Sequence, residues 1–485
     1  MAILTIILGL LLIGFAFLYR HLTQNRGVIE SFGIPYIKPL FVFGSPPYFY
    51  HRISIREWTV KQFEKFGKTW ARYEGITPTI VTIDPEFIKQ VTVKQFDNFT
   101  DAFDFQTDDD HTTLDIAKGD VWRALRKMLS PTFTTGKLKG MLEPMEGIAD
   151  KTIDFIEEQA KLSPQFNIKP ILQGFTLDTI SKCGFGLDTN AHKGDNSDFA
   201  KNAYAVFDQL RADNWMDSII YTASSHFPVI LKMLGFWSEP ALKVKELTRD
   251  IMNQRDKLNI HEGDFIDRLR EHKLNLEPPV TPGMIEAQGI VFLTAGFETT
   301  ANTLGHMVYM LAKNPEVQER LYEEILSVCG DSSINHENIK EMHLLEATMC
   351  ETLRIRPALT EHDRICTNDT EVLGIKIPKG TRIQMPNYPS HINEEFFPEP
   401  FAFKPERFLK ENNNDLIPFT WRAFGSGNRV CIGQRFATVE ILIFMSKLLA
   451  KFKIVDTPET VTKYYNGDFF ANIFHEMVVR LEPRE

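Results

Sequence analysis

The sequence predicts a mainly α protein with a minor β portion, carried behind one apolar N-terminal helix. Three observations predict it. Residues 2–19, "AILTIILGLLLIGFAFLY", carry no charge. From about residue 120 to 350 the apolar spacing is mostly helical, and stretches near 70–82 and 365–386 alternate and turn as strands do. The chain has 485 residues, of which 43% are hydrophobic and 24% charged, an ordinary globular composition. A net charge of −10 argues against a nucleic-acid binder.

The elements follow in order. A helix over residues 2–19 rises ~27 Å, close to the hydrocarbon thickness of a thin bilayer. No basic region precedes it and no A-x-A-like site closes it, so it is expected to be a retained anchor, residues 1–22, and not a cleaved leader. Arg20, His21 and Arg26 follow it, which predicts a cytosolic body. The stretch "SFGIPYIKPLFVFGSPP" is a hinge too rich in Pro and Gly for a helix. "TWARYEG" and "TIVTI" are expected to pair as strands around a Gly75–Pro78 turn. A helix should open after Asp84, with Pro85 at its first position. No repeat or long linker divides the remainder, so residues 23–485 are expected to form a single domain.

Two helical stretches carry chemistry. Thr281 as N-cap, Pro282 after it and Asn314–Pro315 at the far end predict one helix of about 32 residues, ~48 Å long. Its middle is apolar nearly all round and so should cross the interior, yet it contains "AGFETT". Gly296 weakens it locally, the Thr299 hydroxyl can bond the Ala295 carbonyl, and Glu298 sets an acid beside that opening. The alternative is a packing glycine with back-bonded threonines. In "ETLRIRP", Glu351 and Arg354 share a helix face and can pair, and "FKPERF" brings Arg407 shortly before the most unusual segment.

That segment is "WRAFGSGNRVCIGQRFA", residues 421–437. The five cysteines (Cys183, Cys329, Cys350, Cys366, Cys431) are scattered, with no C-x-x-C pair, so neither a disulfide framework nor a zinc module is expected. A nucleophilic thiol needs a base, and the nearest histidine in sequence is His391. A lone thiolate also serves as the single protein ligand of a haem iron. Gly425, Gly427 and Gly433 would let the backbone take φ > 0 beside a large planar cofactor. The helix-like run from Gln434 would place the anion at a helix N-terminus. Phe424 could cover the sulfur, and Arg429 could reach a negative group at the cofactor edge. An inert buried cysteine is the alternative.

"FGSGNRVCIG" resembles the haem-binding signature F-G-x-G-x-R-x-C-x-G of the cytochrome P-450 family, the haem-thiolate monooxygenases. "AGFETT" is similar to that family's oxygen-activating stretch, "ETLR" to its E-x-x-R pair, "PERF" to the segment completing a Glu–Arg–Arg network, and "WRALR" to its W-x-x-x-R element. The resemblance covers essentially the whole chain. "LSPTFTTGKLKGM" resembles the microsomal branch that oxidises drugs and other foreign compounds.

The resemblance implies the cytochrome P-450 fold, a large helical domain with a long central helix and a small β-rich part. It implies haem b, with Cys431 as its iron ligand, donating electron density that favours O–O cleavage. Trp122, Arg126, Arg364 and Arg429 would meet the propionates. Phe424, Gly433 and Ala295 would line the cofactor. Thr299 and Glu298 would organise water and relay protons. Glu351, Arg354 and Arg407 would form a buried structural network.

It further implies one oxygen atom of O₂ inserted into a lipophilic substrate (a xenobiotic, steroid or fatty acid). No dinucleotide or flavin fingerprint is present, so NADPH electrons would come through a separate NADPH–cytochrome reductase, with cytochrome b5 as a further partner. Arg123, Lys127, Lys137, Lys139 and Arg435 are candidates for the reductase face. The location implied is the endoplasmic reticulum membrane, with the catalytic domain on the cytosolic side. Substrate contacts are expected near 101–117, 205–232, 286–299, 358–363 and Phe469–Phe470.

The hinge "GIPYIKPL" departs from the usual P-P-G-P, "SHINEEFFPEP" carries Asn393–Glu394 where Asp-Pro is common, and the stretch at Ala102–Phe103 lacks a propionate-binding arginine of some relatives. Two other functions stay open: a haem-thiolate isomerase or dehydratase acting on peroxides, and a non-catalytic haem sensor. The Glu298–Thr299 pair speaks against the first, because such relatives often lose it.

Overall fold

The computed structural model describes residues 2–40, 44–45, 55–102, 109–194, 197–209, 239–273, 279–330, 332–335, 337–412, 415–464 and 473–484. By their contacts these gather into two compact units. One comprises the described residues of 1–106 and 361–389; the other comprises those of 107–213, 236–360 and 390–485.

The first unit begins with helix α1, Ala2–Thr23. Its 22 residues rise ~33 Å. Its apolar side chains, Leu10 to Phe17 among them, are exposed, as suits a helix whose partner is lipid. The unit's body is a four-stranded sheet in the order Thr69–Glu74, Thr77–Thr82, Arg382–Pro386, Glu361–Ile365. The first two strands are antiparallel, joined at Gly75 with φ of 59°. The second strand begins two residues earlier than the sequence suggested, at Thr77, and takes in Pro78. Its parallel pairing with Arg382–Pro386 starts only at Thr79, so the missing Pro78 N–H costs no rung there. Asp84 caps the next helix, accepting from the Phe87 amide at 2.9 Å.

The same sheet gathers charge. Arg382 meets Glu74, Glu361 (3.3 Å) and Asp363 (2.5 Å), while Arg72 reaches Glu74 at 3.6 Å and donates to Gln384 at 3.0 Å. Burial first, and then the Asp363 charge, push the Glu361 carboxyl up to about 8.

The second unit is mostly helical. Helices α2 (Gly119–Leu129), α3 (Thr135–Leu162) and α4 (Lys169–Ile180) precede α5 (Glu239–Leu258). Then come α6 (Pro282–Lys313), α7 (Pro315–Cys329), α8 (His343–Ile355) and α9 (Gln434–Lys451). Strand Phe474–Pro483 pairs antiparallel with Gln165–Asn167, Phe452–Val455 and Thr462–Tyr464. The centre of the unit is α6, which spans 32 residues as its terminal signals predicted. The Thr281 hydroxyl accepts from the Met284 amide at 3.2 Å, and Asn314 ends the helix. Helix α4 lies tight against it. A Cβ added at Gly296 would sit 2.7 Å from the Ile180 side chain, so this glycine answers to close packing.

Candidate functional site

The cysteine loop is shaped by its backbone. Gly425 and Gly427 take φ of 83° and 66°, a region L side chains rarely adopt. Gly433 does not: its φ is −88°, and an added Cβ would meet only Phe133, at 3.8 Å. The expectation of positive φ at Gly433 is therefore corrected. This residue is the N-cap of α9, and its chain direction presents N–H groups to the sulfur. The Cys431 amide donates to the Phe424 carbonyl at 2.8 Å, closing the loop. Phe424 is half-buried, edge-on to Trp421 with centroids 6.2 Å apart.

The Cys431 thiol is accessible, yet burial is the leading influence on it and raises its pKa. Opposing that are the N–H of Gly433, the Arg126 charge and the N–H of Gln434, each of which favours the thiolate. An accessible sulfur in dense protein marks an internal space. His391 lends this thiol no base. Its Nδ1 meets the Arg354 carbonyl at 3.0 Å and its Nε2 accepts from the Arg422 amide at 3.0 Å. Among the described residues no cluster of three or more His, Cys, Asp or Glu could hold a separate metal ion.

Helix α6 is open on one side. Ala295 is exposed and Val291 and Thr299 are half-buried, whereas Phe297 and Glu298 are buried. Residues 291, 295 and 299 recur every fourth position and share that open face. The Thr299 hydroxyl donates to the Ala295 carbonyl at 2.7 Å.

Glu298 points elsewhere. Its carboxylate meets Lys169 Nζ at 2.6 Å and accepts from Gln173 Nε2 at 2.7 Å and Asn302 Nδ2 at 3.1 Å. Lys169 also donates to Asn302 Oδ1 at 2.9 Å and lies 4.6 Å from the Phe474 ring centroid. The structure thus places Thr299 on the open face and Glu298 in a buried ion pair beside it.

Of the basic set, Arg429 stacks on buried Trp122, 4.6 Å from the ring centroid, and donates to the carbonyls of Asp115 (3.2 Å) and Ala117. Arg126 is half-buried without an ion-pair partner among the described residues; burial lowers its pKa and the nearby Cys431 charge raises it. In the first unit Arg364 is buried. Its Nη1 donates to the Asp363 carbonyl at 2.6 Å, its Nε has no partner, and burial lowers its pKa to about 10.

The Glu351–Arg354 pair is bidentate at 2.7 Å on both arms. Arg354 also donates to the carbonyls of His391, Pro400 and Ala402, and Arg407 Nε lies 3.5 Å from Glu351. The expected substrate positions 103–108, 210–232 and Phe469–Phe470 lie outside the described residues.

These residues fit a haem. Within the second unit a sulfur flanked by helix N–H groups faces an internal space, α6 is open along Ala295, and desolvated Arg126 has no ion-pair partner among the described residues. The fold and this site define a haem-thiolate oxidoreductase. The family model "Cytochrome P-450" matches residues 34–472, and the chain belongs to that family. It is 33% identical to cytochrome P-450 3A16 of Mus musculus over 99% of this chain and 97% of the relative. It is 32% identical to 3A41 of the same organism (93% and 91% covered), and 28% identical to 3A12 of Canis lupus familiaris (98% and 96% covered). The protein is therefore a haem b monooxygenase, drawing NADPH-derived electrons from a redox partner and acting on lipophilic compounds.

Lys169, Gln173 and Asn302, which hold Glu298, belong to none of the sequence motifs. Only Asn302, four residues after Glu298 on the same helix, left a signal in the sequence.

Proposed function

We propose that this protein oxidises lipophilic foreign compounds in the endoplasmic reticulum membrane. It would take electrons from an NADPH–cytochrome reductase, with cytochrome b5 as a further donor. Residues 1–22 serve as the anchor and residues 23–485 as one catalytic domain on the cytosolic face. Support comes from end-to-end similarity to the 3A enzymes and from the apolar helix followed by Arg20, His21 and Arg26.

The observation that carries the reading is the Cys431 loop, with Gly433 and Gln434 amides turned toward its sulfur. Cys431 would hold the iron, while Trp122, Arg126, Arg364 and Arg429 would hold the propionates. Phe424 would shield the sulfur, Gly433 lets α9 begin beside it, and Ala295 would leave room for the cofactor. The haem, when bound, supplies the activation of dioxygen.

The chain's own residues supply protons and exclude water. Thr299 can release the Ala295 carbonyl and hold a proton or water at its Oγ on the open face. Glu298 keeps the next charge, tethered by Lys169. Arg123, Lys127, Lys137, Lys139 and Arg435 are all exposed and form the face that steers an acidic reductase. Glu351, Arg354 and Arg407 hold the second unit together.

Reduced protein under carbon monoxide should show the red-shifted absorption of sulfur-bound iron. The Cys431→Ser variant should lose it, and an unaltered spectrum in that variant would refute the assignment. Fractionation should place the full chain in membranes and release it when residues 1–22 are removed. A processed, secreted form would overturn the anchor.

A further inference from the structure

Asp115 lies in the loop 112–118, which is clamped from two sides. From α6, Gln288 donates to the Thr112 carbonyl at 3.0 Å and accepts from the Leu114 amide at 3.0 Å. From the cysteine segment, Arg429 holds the carbonyls of Asp115 and Ala117. The loop thus bridges the two elements that carry Ala295 and Cys431. Thr113, Leu114, Ile116 and Ala117 are buried, and Asp115 between them is exposed.

The residues on both sides of it are buried and its loop is pinned between α6 and the cysteine segment, which sets this exposed carboxylate toward the interior; burial accordingly raises its pKa. Cys431 combines the same two properties, and Ala295 is accessible on an otherwise buried helix. The Asp115 carboxylate accepts from the Thr113 hydroxyl at 2.6 Å and from the amides of Asp115 and Ile116. It feels the Arg429 charge but forms no ion pair among the described residues; Arg429 donates to the carbonyls of Asp115 and Ala117, and its face rests on Trp122. A desolvated carboxylate so placed gains more from a cation than from any neutral group.

We propose that Asp115 selects substrate by charge, its carboxylate receiving the protonated amine of a lipophilic organic base inside the internal space beside Cys431 and Ala295. The inference rests on the lipophilic-substrate reading and narrows it to cationic amphiphiles.

The test uses full-length haem-loaded protein and equilibrium dialysis, a readout of binding and not of turnover. The probes are 1-(4-phenylbutyl)piperidine, protonated at pH 7, and its uncharged counterpart (4-phenylbutyl)cyclohexane. Asp115→Asn keeps the acceptor for Thr113 and removes the charge. The amine should bind this variant about tenfold more weakly, as for one charge-assisted contact, while the hydrocarbon binds as before. Equal amine affinity in wild type and variant would overturn the proposal. If Asp115→Asn yields no haem protein, Asp115→Ser takes its place, and failure of both assigns Asp115 to the fold and overturns the proposal too. If the hydrocarbon itself fails to bind wild type, the lipophilic-substrate reading falls first and carries this inference with it.

Discussion

Two buried ion pairs in the helical unit are built in opposite ways. Glu351 and Arg354 are three residues apart on α8, and every arm of the guanidinium is used, on the carboxylate or on the carbonyls of His391, Pro400 and Ala402. Lys169 and Glu298 are 129 residues apart on α4 and α6, and the lysine meets its partners as a point charge. The first pair ties loops to a helix and has no freedom left. The second joins two helices beside the open face of α6 and includes a carboxylate that Gln173 and Asn302 also support. Rigid satisfaction suits a structural role, whereas a supported acid next to Thr299 suits one whose charge must be held ready.

The largest effect is expected at the first pair. Arg354→Ala leaves the Glu351 carboxylate buried and uncompensated and should cost about 3–5 kcal/mol, a large part of a protein's net stability. Little haem-bearing protein should be recovered, as read from the carbon monoxide spectrum of the soluble fraction. Normal recovery would break the contrast.

Lys169→Met should cost somewhat less, about 3 kcal/mol, because Gln173 and Asn302 remain on Glu298. Adding Glu298→Gln to it should recover about half of the loss in thermal unfolding, since no charge is then stranded. A double variant worse than the single one would show that the pair is not a unit.

A third cluster sharpens the point by being unbalanced. In the sheet of the first unit, Glu74, Glu361 and Asp363 face Arg72 and Arg382. The Glu361 pKa is raised from 4.5 to about 8 in the fold, by burial first. A raised folded value means its contribution is present below the unfolded value and is lost as pH rises through about 8. Stability should therefore fall between about pH 4.5 and 8, and Glu361→Gln should flatten that decline. An unchanged slope would show that this carboxyl does not titrate there.

The smallest effect on stability, under about 1 kcal/mol, is expected for Thr299→Ala, which removes one back-bonded hydroxyl. Its consequence should be kinetic: the haem spectrum stays, but NADPH is consumed with hydrogen peroxide released and less product formed. Unchanged coupling would remove Thr299 from proton handling.

The sequence by itself determined whatever depends on neighbours along the chain. The ends of α6 follow from Thr281, Pro282 and Asn314, α9 begins after the glycine-bearing loop, and the Glu351–Arg354 spacing places both groups on one helix face. The apolar run of α1 and the residues around Cys431 belong to the same class. Only the tertiary structure decided which strand begins at Thr77, that Gly433 needs no positive φ, that Lys169 answers Glu298, and that Asp115 stands exposed in a buried loop. The reason is physical. Caps, turns and same-face pairs act over one or two helical turns, so local residue order encodes them. The partner of a buried charge and the wall of an internal space are chosen by packing between segments far apart in the chain, which no local pattern records.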